Sequence, residues 1–222
     1  MNPGSISVVP IFATPLAVVT LPDTLSELNP TVAQLLARHA AANPTTASAD
    51  GLCYRSRDDL LEWSDRAVQE LCGGILRGVW STVAAVTTMP AEHLQTLSMQ
   101  ARAGFTRVQP DGCVQATSYS LTAWCAIYCL EAPLPTPGRA DSGVVRFYET
   151  RLGTALADAT TSSMRAPFST GHHTWRAVPG QLVVFPGSLS HEVPLIRSTT
   201  PLTLITVRTR FVGPEQEGLS RW

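Results

Sequence analysis

His191 is the side chain best placed by its neighbours to do chemistry. It follows Gln181-Leu182-Val183-Val184-Phe185, a run of strand formers, and the turn pair Pro186-Gly187. A strand and a tight turn would hold an imidazole rigidly where the next strand begins. An imidazole titrates near neutrality, so it suits general acid/base work or metal binding. The other histidines are His39, His93 and the adjacent pair His172-His173. His39 and His93 fall on or near helical patterns and read as surface residues. Adjacent histidines on a strand send one side chain to each face, so only one of His172 and His173 can join His191. Glu149 and Glu192 are the carboxylates nearest these histidines in the strand pattern. Two histidines with a glutamate would make a metal site of reasonable chemistry.

Composition removes several alternatives. All sixteen basic residues are arginine. Without lysine there is no Walker-A phosphate loop, no Schiff-base lysine and no pyridoxal-phosphate anchor. The arginine-only usage fits a GC-rich bacterial genome. A formal net charge of −1 gives no electrostatic case for nucleic acid or an anionic membrane. No apolar run reaches the length of a membrane span. The stretch 1–22 lacks a basic leader before its apolar run, which makes a cytoplasmic protein the default expectation. The five cysteines, Cys53, Cys72, Cys113, Cys125 and Cys129, include no C-x-x-C pair. They read as free thiols rather than a disulfide framework or zinc ribbon.

The elements that must position His191 follow from periodicity. Residues 7–20 predict one or two short edge strands interrupted by Pro10 and Pro15. Asn29-Pro30 predicts a helix start running to Ala42. Ala67, Val68, Leu71, Cys72, Ile75, Leu76, Val79, Trp80 and Val83 recur in steps of three and four. That is a helix with Ser64 as its expected N-cap, lying against a sheet. From Leu97 the pattern turns to strands: about 97–105, 121–130, 143–150, 172–178, 181–185 and 203–212. Pro/Gly-rich turns separate them, and 151–171 is a long small-residue stretch suited to a lid. Early helices followed by six or more strands predict a mainly β domain spanning 1–222. Its helical layer would cover about 23–95 and its barrel about 96–212.

In this order the segments resemble the 2-oxoglutarate–iron(II) oxygenases of the double-stranded β-helix fold. Pro10 to Leu16 is similar to that family's "lFpTP" opening, and Tyr54 to Leu60 to its "qS-x-x-D-L" segment. Ala123 to Leu130 resembles its "W-S-G-V-Y-Y-L" strand, Asp141 to Arg151 its "G-x-L-x-F-x-D-P-R", and Pro179 to Val193 its "P-x-x-G-x-L-V-x-F-P-S-x-L-x-H-x-V". The resemblance implies a jelly-roll, cupin-like barrel with N-terminal helices packed on one side. It also implies iron(II) held by an H-x-D/E pair and a second histidine, with 2-oxoglutarate gripped by a basic residue near the last strands. His191 matches the second histidine. The pair is expected around Ala116 to Ser120, which reads Ala-Thr-Ser-Tyr-Ser, and no H-x-D or H-x-E occurs anywhere. Where the basic residue is expected stand Pro201, Leu202 and Thr203, with Arg197 earlier and Arg208 and Arg210 later.

Three readings follow. The barrel acts on a small molecule without iron or 2-oxoglutarate, in a bacterial biosynthetic tailoring step. His191, Tyr119 and His173 would then be catalytic, and Arg146, Arg208 and Trp124 would bind substrate. Alternatively, the chain is an iron(II)/2-oxoglutarate hydroxylase with unusual ligands, His191, His173 and Glu149. Or it is a non-catalytic small-molecule binder or scaffold. The expected partner is a small molecule, with no nucleic acid and no membrane; a homodimer is compatible with each reading.

Overall fold

The computed structural model describes residues 13–44, 47–134, 141–148, 164 and 171–214. Two antiparallel sheets face each other. The larger takes six strands in the order β1, β8, β5, β10, β3, β2, and the smaller takes β4, β9, β6, β7. In chain order these are β1 Ala17–Thr20, β2 Cys53–Arg55, β3 Ser98–Val108, β4 Val114–Thr117, β5 Trp124–Glu131, β6 Val144–Tyr148, β7 His172–Arg176, β8 Gln181–Pro186, β9 His191–Val193 and β10 Leu202–Val212. Neighbours in sequence are seldom neighbours in a sheet, as a jelly-roll path requires. The strands expected from Leu97 onward are all present.

The helical layer is also present. It comprises α1 Asp23–Ser26, α2 Asn29–Ala42, α3 Arg66–Val86 and α4 Ala91–Leu94. Helix α3 starts one residue later than its sequence predicts. Asp65, not Ser64, is the N-cap, and its carboxylate accepts from the amides of Ala67 and Val68. Such a cap contributes about 1 kcal/mol. Val68, Leu71, Ile75 and Val79 are fully buried against the outer face of the large sheet, meeting Tyr128, Leu182, Val184, Ile205 and Val207. Helix α2 is tied to the same face by one buried hydrogen bond, from the Tyr128 hydroxyl to Asn29 Oδ1 at 2.7 Å.

The inner face of the large sheet carries the alternate residues. Cys125, Ile127 and Cys129 of β5, Val183 and Phe185 of β8, and Leu202 and Leu204 of β10 point into the barrel. They meet Val145, Phe147, Trp175 and Val193 from the small sheet. One strand therefore serves two cores, and a one-residue slip of β5 would exchange them. Cys125 and Cys129 share the inner face, and all five cysteines are free.

Two strands have no precedent in the sequence pattern. β2 is three residues long and β4 four, too short for alternation to declare itself. Leu121, expected within β5, precedes it and is 83% exposed. No helix among the described residues is long and apolar enough to cross a membrane. The stretch expected to form a lid lies outside the described residues apart from Met164 and Gly171.

Candidate functional site

His191 opens β9, a strand of three residues gripped on both sides. Thr117 of β4 pairs with His191 across one ladder, and Phe147 of β6 pairs with it across the other. Phe147 pairs in turn with His173 of β7. Thr117, His191, Phe147 and His173 thus form one rung on the barrel face of the small sheet. Residues directly opposite one another share a face.

The imidazole is 6% exposed and stands in an aromatic box. The Phe185 ring lies edge-on at 5.1 Å between centroids, Tyr119 at 5.8 Å and Phe147 at 6.0 Å. Nδ1 is 3.1 Å from the Leu189 carbonyl oxygen, an acceptor, so Nδ1 carries the proton and donates. That leaves the Nε2 lone pair as the reactive position in the neutral ring. Desolvation pushes the His191 pKa below its ordinary value; the Leu189 carbonyl opposes this and the Arg55 charge reinforces it. The neutral base is therefore the favoured form.

Tyr119 joins the imidazole to the opposite wall. Its backbone amide donates to the Gly187 carbonyl at 2.7 Å, so the Pro186-Gly187 turn places both rings. Its hydroxyl accepts a hydrogen bond from the Arg55 guanidinium. The Arg208 guanidinium lies over its ring at 4.9 Å and that of Arg55 at 5.8 Å, cation–π distances. Burial raises the Tyr119 pKa, with Arg55 and Arg208 working against it. Arg208 also forms an ion pair with Asp58.

Arg55 and Asp58 reach the barrel because residues 55–59 lie across β3. Ser56 and Phe105 exchange two hydrogen bonds, Ser56 N to the Phe105 carbonyl at 2.9 Å and Phe105 N to Ser56 Oγ at 2.8 Å. Gly104 permits the crossing, since a Cβ there would lie 2.8 Å from the Arg57 carbonyl oxygen. Arg55, Ser56, Asp58, Gly104, Thr106, Tyr119 and Thr206 enclose a polar recess of about 10 Å³, room for about one water molecule.

The structure brings together three of the residues singled out in the sequence, His191, Tyr119 and Arg208, and separates the others. His173 shares the rung and the face, which decides between it and His172, but Phe147 stands between it and His191 and its side chain is exposed. Arg146 points to the outer face, because its neighbour Phe147 points in. There Arg146 Nη1 binds Glu192 Oε1 at 3.1 Å, and the Tyr148 hydroxyl donates to the same oxygen at 2.5 Å. Glu192 is on that outer face for the same reason, being next to His191. Trp124 packs with the helical core, because the next residue, Cys125, faces the barrel. Glu149 lies outside the described residues.

Arg55 and Asp58 were not singled out as site residues. The available signal was the resemblance of Tyr54 to Leu60 to a family segment, which names no role for Arg55. Another overlooked group is Trp175, 6% exposed, whose indole N–H has no hydrogen-bond partner among the described residues.

No protein-family model and no curated protein matches the sequence. Solved structures do. AviO1 from Streptomyces viridochromogenes Tue57 aligns over 91% of this chain and 91% of its own, at 14% identity and a TM-score of 0.58. SnoK, a non-heme alpha ketoglutarate dependent carbocyclase from nogalamycin biosynthesis, aligns over 92% and 86%, at 10% identity and 0.57. A Pseudomonas putida prolyl-4-hydroxylase aligns over 88% and 91%, at 14% identity and 0.54. The chain has the double-stranded β-helix fold of 2-oxoglutarate–iron(II) oxygenases. At these identities the likeness is one of fold.

That fold implies iron(II), and the described donors do not fit it. The residue across the ladder from His191 is Thr117, and two positions further stands Tyr119 in place of a carboxylate. Asp58 is engaged by Arg208. Among the described residues, no three His, Cys, Asp or Glu side chains cluster closely enough to hold a metal ion. The basic residue expected for 2-oxoglutarate is also displaced. Leu202 and Leu204 occupy the inner face at the start of β10, and Arg197 is exposed on the preceding loop.

Proposed function

We propose that this chain uses the double-stranded β-helix to bind a small anionic molecule and act on it by proton transfer, without iron or 2-oxoglutarate. The observation that carries this reading is the rung itself. His191 faces Thr117 and Tyr119, groups that can position or exchange a proton but are poor iron ligands. His191 Nε2 is the base, kept neutral by burial and held in one tautomer by Leu189. Tyr119 is the acid; desolvation keeps its phenol protonated. Arg55 and Arg208 supply positive charge for a carboxylate or enolate that forms as the proton leaves. The Trp175 indole N–H is a further donor, without an acceptor among the described residues. A tailoring step on a biosynthetic small molecule agrees with the likeness to SnoK, a carbocyclase from nogalamycin biosynthesis.

A second reading, a binder without turnover, draws on the size of the recess. It admits about one water, and Arg55 and Arg208 already engage Tyr119 and Asp58. A ligand must displace one of these contacts.

Two measurements separate the readings. Protein purified anaerobically is assayed for metal and titrated with 2-oxoglutarate. Stoichiometric iron with succinate release would sink the metal-free reading. Small carboxylic acids that raise Tm are then incubated with the protein in D2O. Exchange at a ligand carbon, lost in His191→Ala, supports proton transfer; binding without exchange supports the binder.

A further inference from the structure

Cys53 and Cys113 stand sixty positions apart in the chain, yet the fold brings the residues that precede them, Leu52 and Gly112, into contact. Cys53 opens β2, the edge strand of the large sheet; Cys113 directly precedes β4, the edge strand of the small one. Between them the β3–β4 turn closes the barrel along its seam. Gln109 N donates to the Leu52 carbonyl at 2.8 Å, and Gly112 N to the Gln109 carbonyl at 2.9 Å. A Cβ on Gly112 would lie 2.5 Å from the Leu52 carbonyl oxygen. The Leu52–Cys53 peptide therefore touches the residue next to Cys113, and glycine is required for that approach. Burial raises the Cys53 pKa; the Arg55 charge opposes this, and the nearby Cys113 adds to it.

From this juxtaposition we infer that Cys53 and Cys113 form a reversible disulfide, a redox modification site that clasps the two sheets at the seam. The exposed Cys113 thiol reacts first. As thiolate it attacks hydrogen peroxide, breaking the O–O bond, forming a sulfenic acid and releasing water once the hydroxide is protonated. The half-buried Cys53, as thiolate, then attacks the sulfenic sulfur. The S–O bond breaks, the S–S bond forms, and a second water leaves. Two thiols are oxidised by two electrons and one peroxide is reduced to two waters. A reducing thiol reverses the bond by exchange. Cys72, Cys125 and Cys129 are spectators, because they are buried where peroxide does not reach them.

The clasp has a structural consequence two residues away. Arg55 ends the strand that Cys53 opens, so the bond fastens the strand that presents Arg55 to Tyr119. Closing so long a loop should also raise Tm by several degrees.

The test treats the full chain with a slight excess of hydrogen peroxide and maps it by mass spectrometry without reduction. The expected result is a loss of 2 Da, a crosslinked peptide pair containing Cys53 and Cys113, and a higher Tm. Dithiothreitol should reverse all three. Cys113→Ser, an exposed change that leaves the fold intact, should abolish the mass loss and the Tm shift together. Conversion of Cys113 to sulfinic acid without a crosslink would overturn the inference, as would a disulfide between two chains. Retention of both thiols after treatment would also overturn it, since geometry would then hold them apart.

Discussion

The two faces of the small sheet carry opposite kinds of residue on neighbouring positions. On the outer face, Arg146, Tyr148 and Glu192 form a polar cluster whose charged side chains are a quarter or less exposed. On the inner face, the very next residues, Phe147 and His191, are nearly fully buried and contact aromatic rings. The charged pair stands where water still reaches it. The inner face keeps the buried His191 ring neutral. A strand's alternation thus sorts carboxylate from imidazole, and Glu192 cannot assist His191 however close it is in sequence.

Four measurements would break or sharpen this contrast. The largest effect belongs to Phe147→Ala. Phe147 is 2% exposed and packs edge-on to Phe185 at 4.8 Å. Its truncation should cost about 3–5 kcal/mol by urea unfolding, and a cost near zero would mean the inner face is loosely packed. Tyr119→Phe comes next. It deletes the hydroxyl that accepts from Arg55, but Arg55 is exposed and can turn to water. The expected loss is about 1 kcal/mol, with a larger loss of ligand-induced Tm shift.

Acid should then distinguish the faces. The folded His191 pKa lies below its unfolded value because the charged ring is poorly solvated. Below the ordinary imidazole pKa the unfolded chain binds more protons, so stability is full above that pKa. It is lost as pH falls from there through the folded value. In His191→Phe this component of the pH–stability curve should vanish, and any proton-transfer activity with it. The smallest effect is Glu192→Gln. Partly exposed ion pairs contribute little, so under about 1 kcal/mol is expected. A loss several times larger would show that the outer cluster, rather than the aromatic box, holds β9 in register.

Much of the fold was legible. The three-and-four spacing of α3 and the apolar run of β5 are long enough for a period to show. The sequence also placed His191 in the barrel and showed that no H-x-D/E pair exists. Which face of each strand looks inward was harder. In Val144-Val145-Arg146-Phe147-Tyr148 the alternation separates Arg146 from Phe147, but only the partner strands decide which of them meets the barrel. Trp124 followed the same rule and went to the helical side. Arg55 and Asp58 were least accessible. Their placement depends on a three-residue strand and on a crossing over Gly104, contacts between segments far apart in sequence. No local pattern encodes such a contact.

The pairing of Thr117 with His191 also has a use in engineering. Facing residues on adjacent antiparallel strands hold their Cβ atoms about 5 Å apart on one side of the sheet. Thr117→His would set a second imidazole beside the first, and Tyr119→Asp would add a carboxylate two positions on. Two codons separate this chain from the donor set that its barrel shape implies. The double variant therefore makes an inexpensive transplant experiment: iron binding gained would show the scaffold still keeps room for the metal, and iron refused would show how far the surrounding wall has been remodelled.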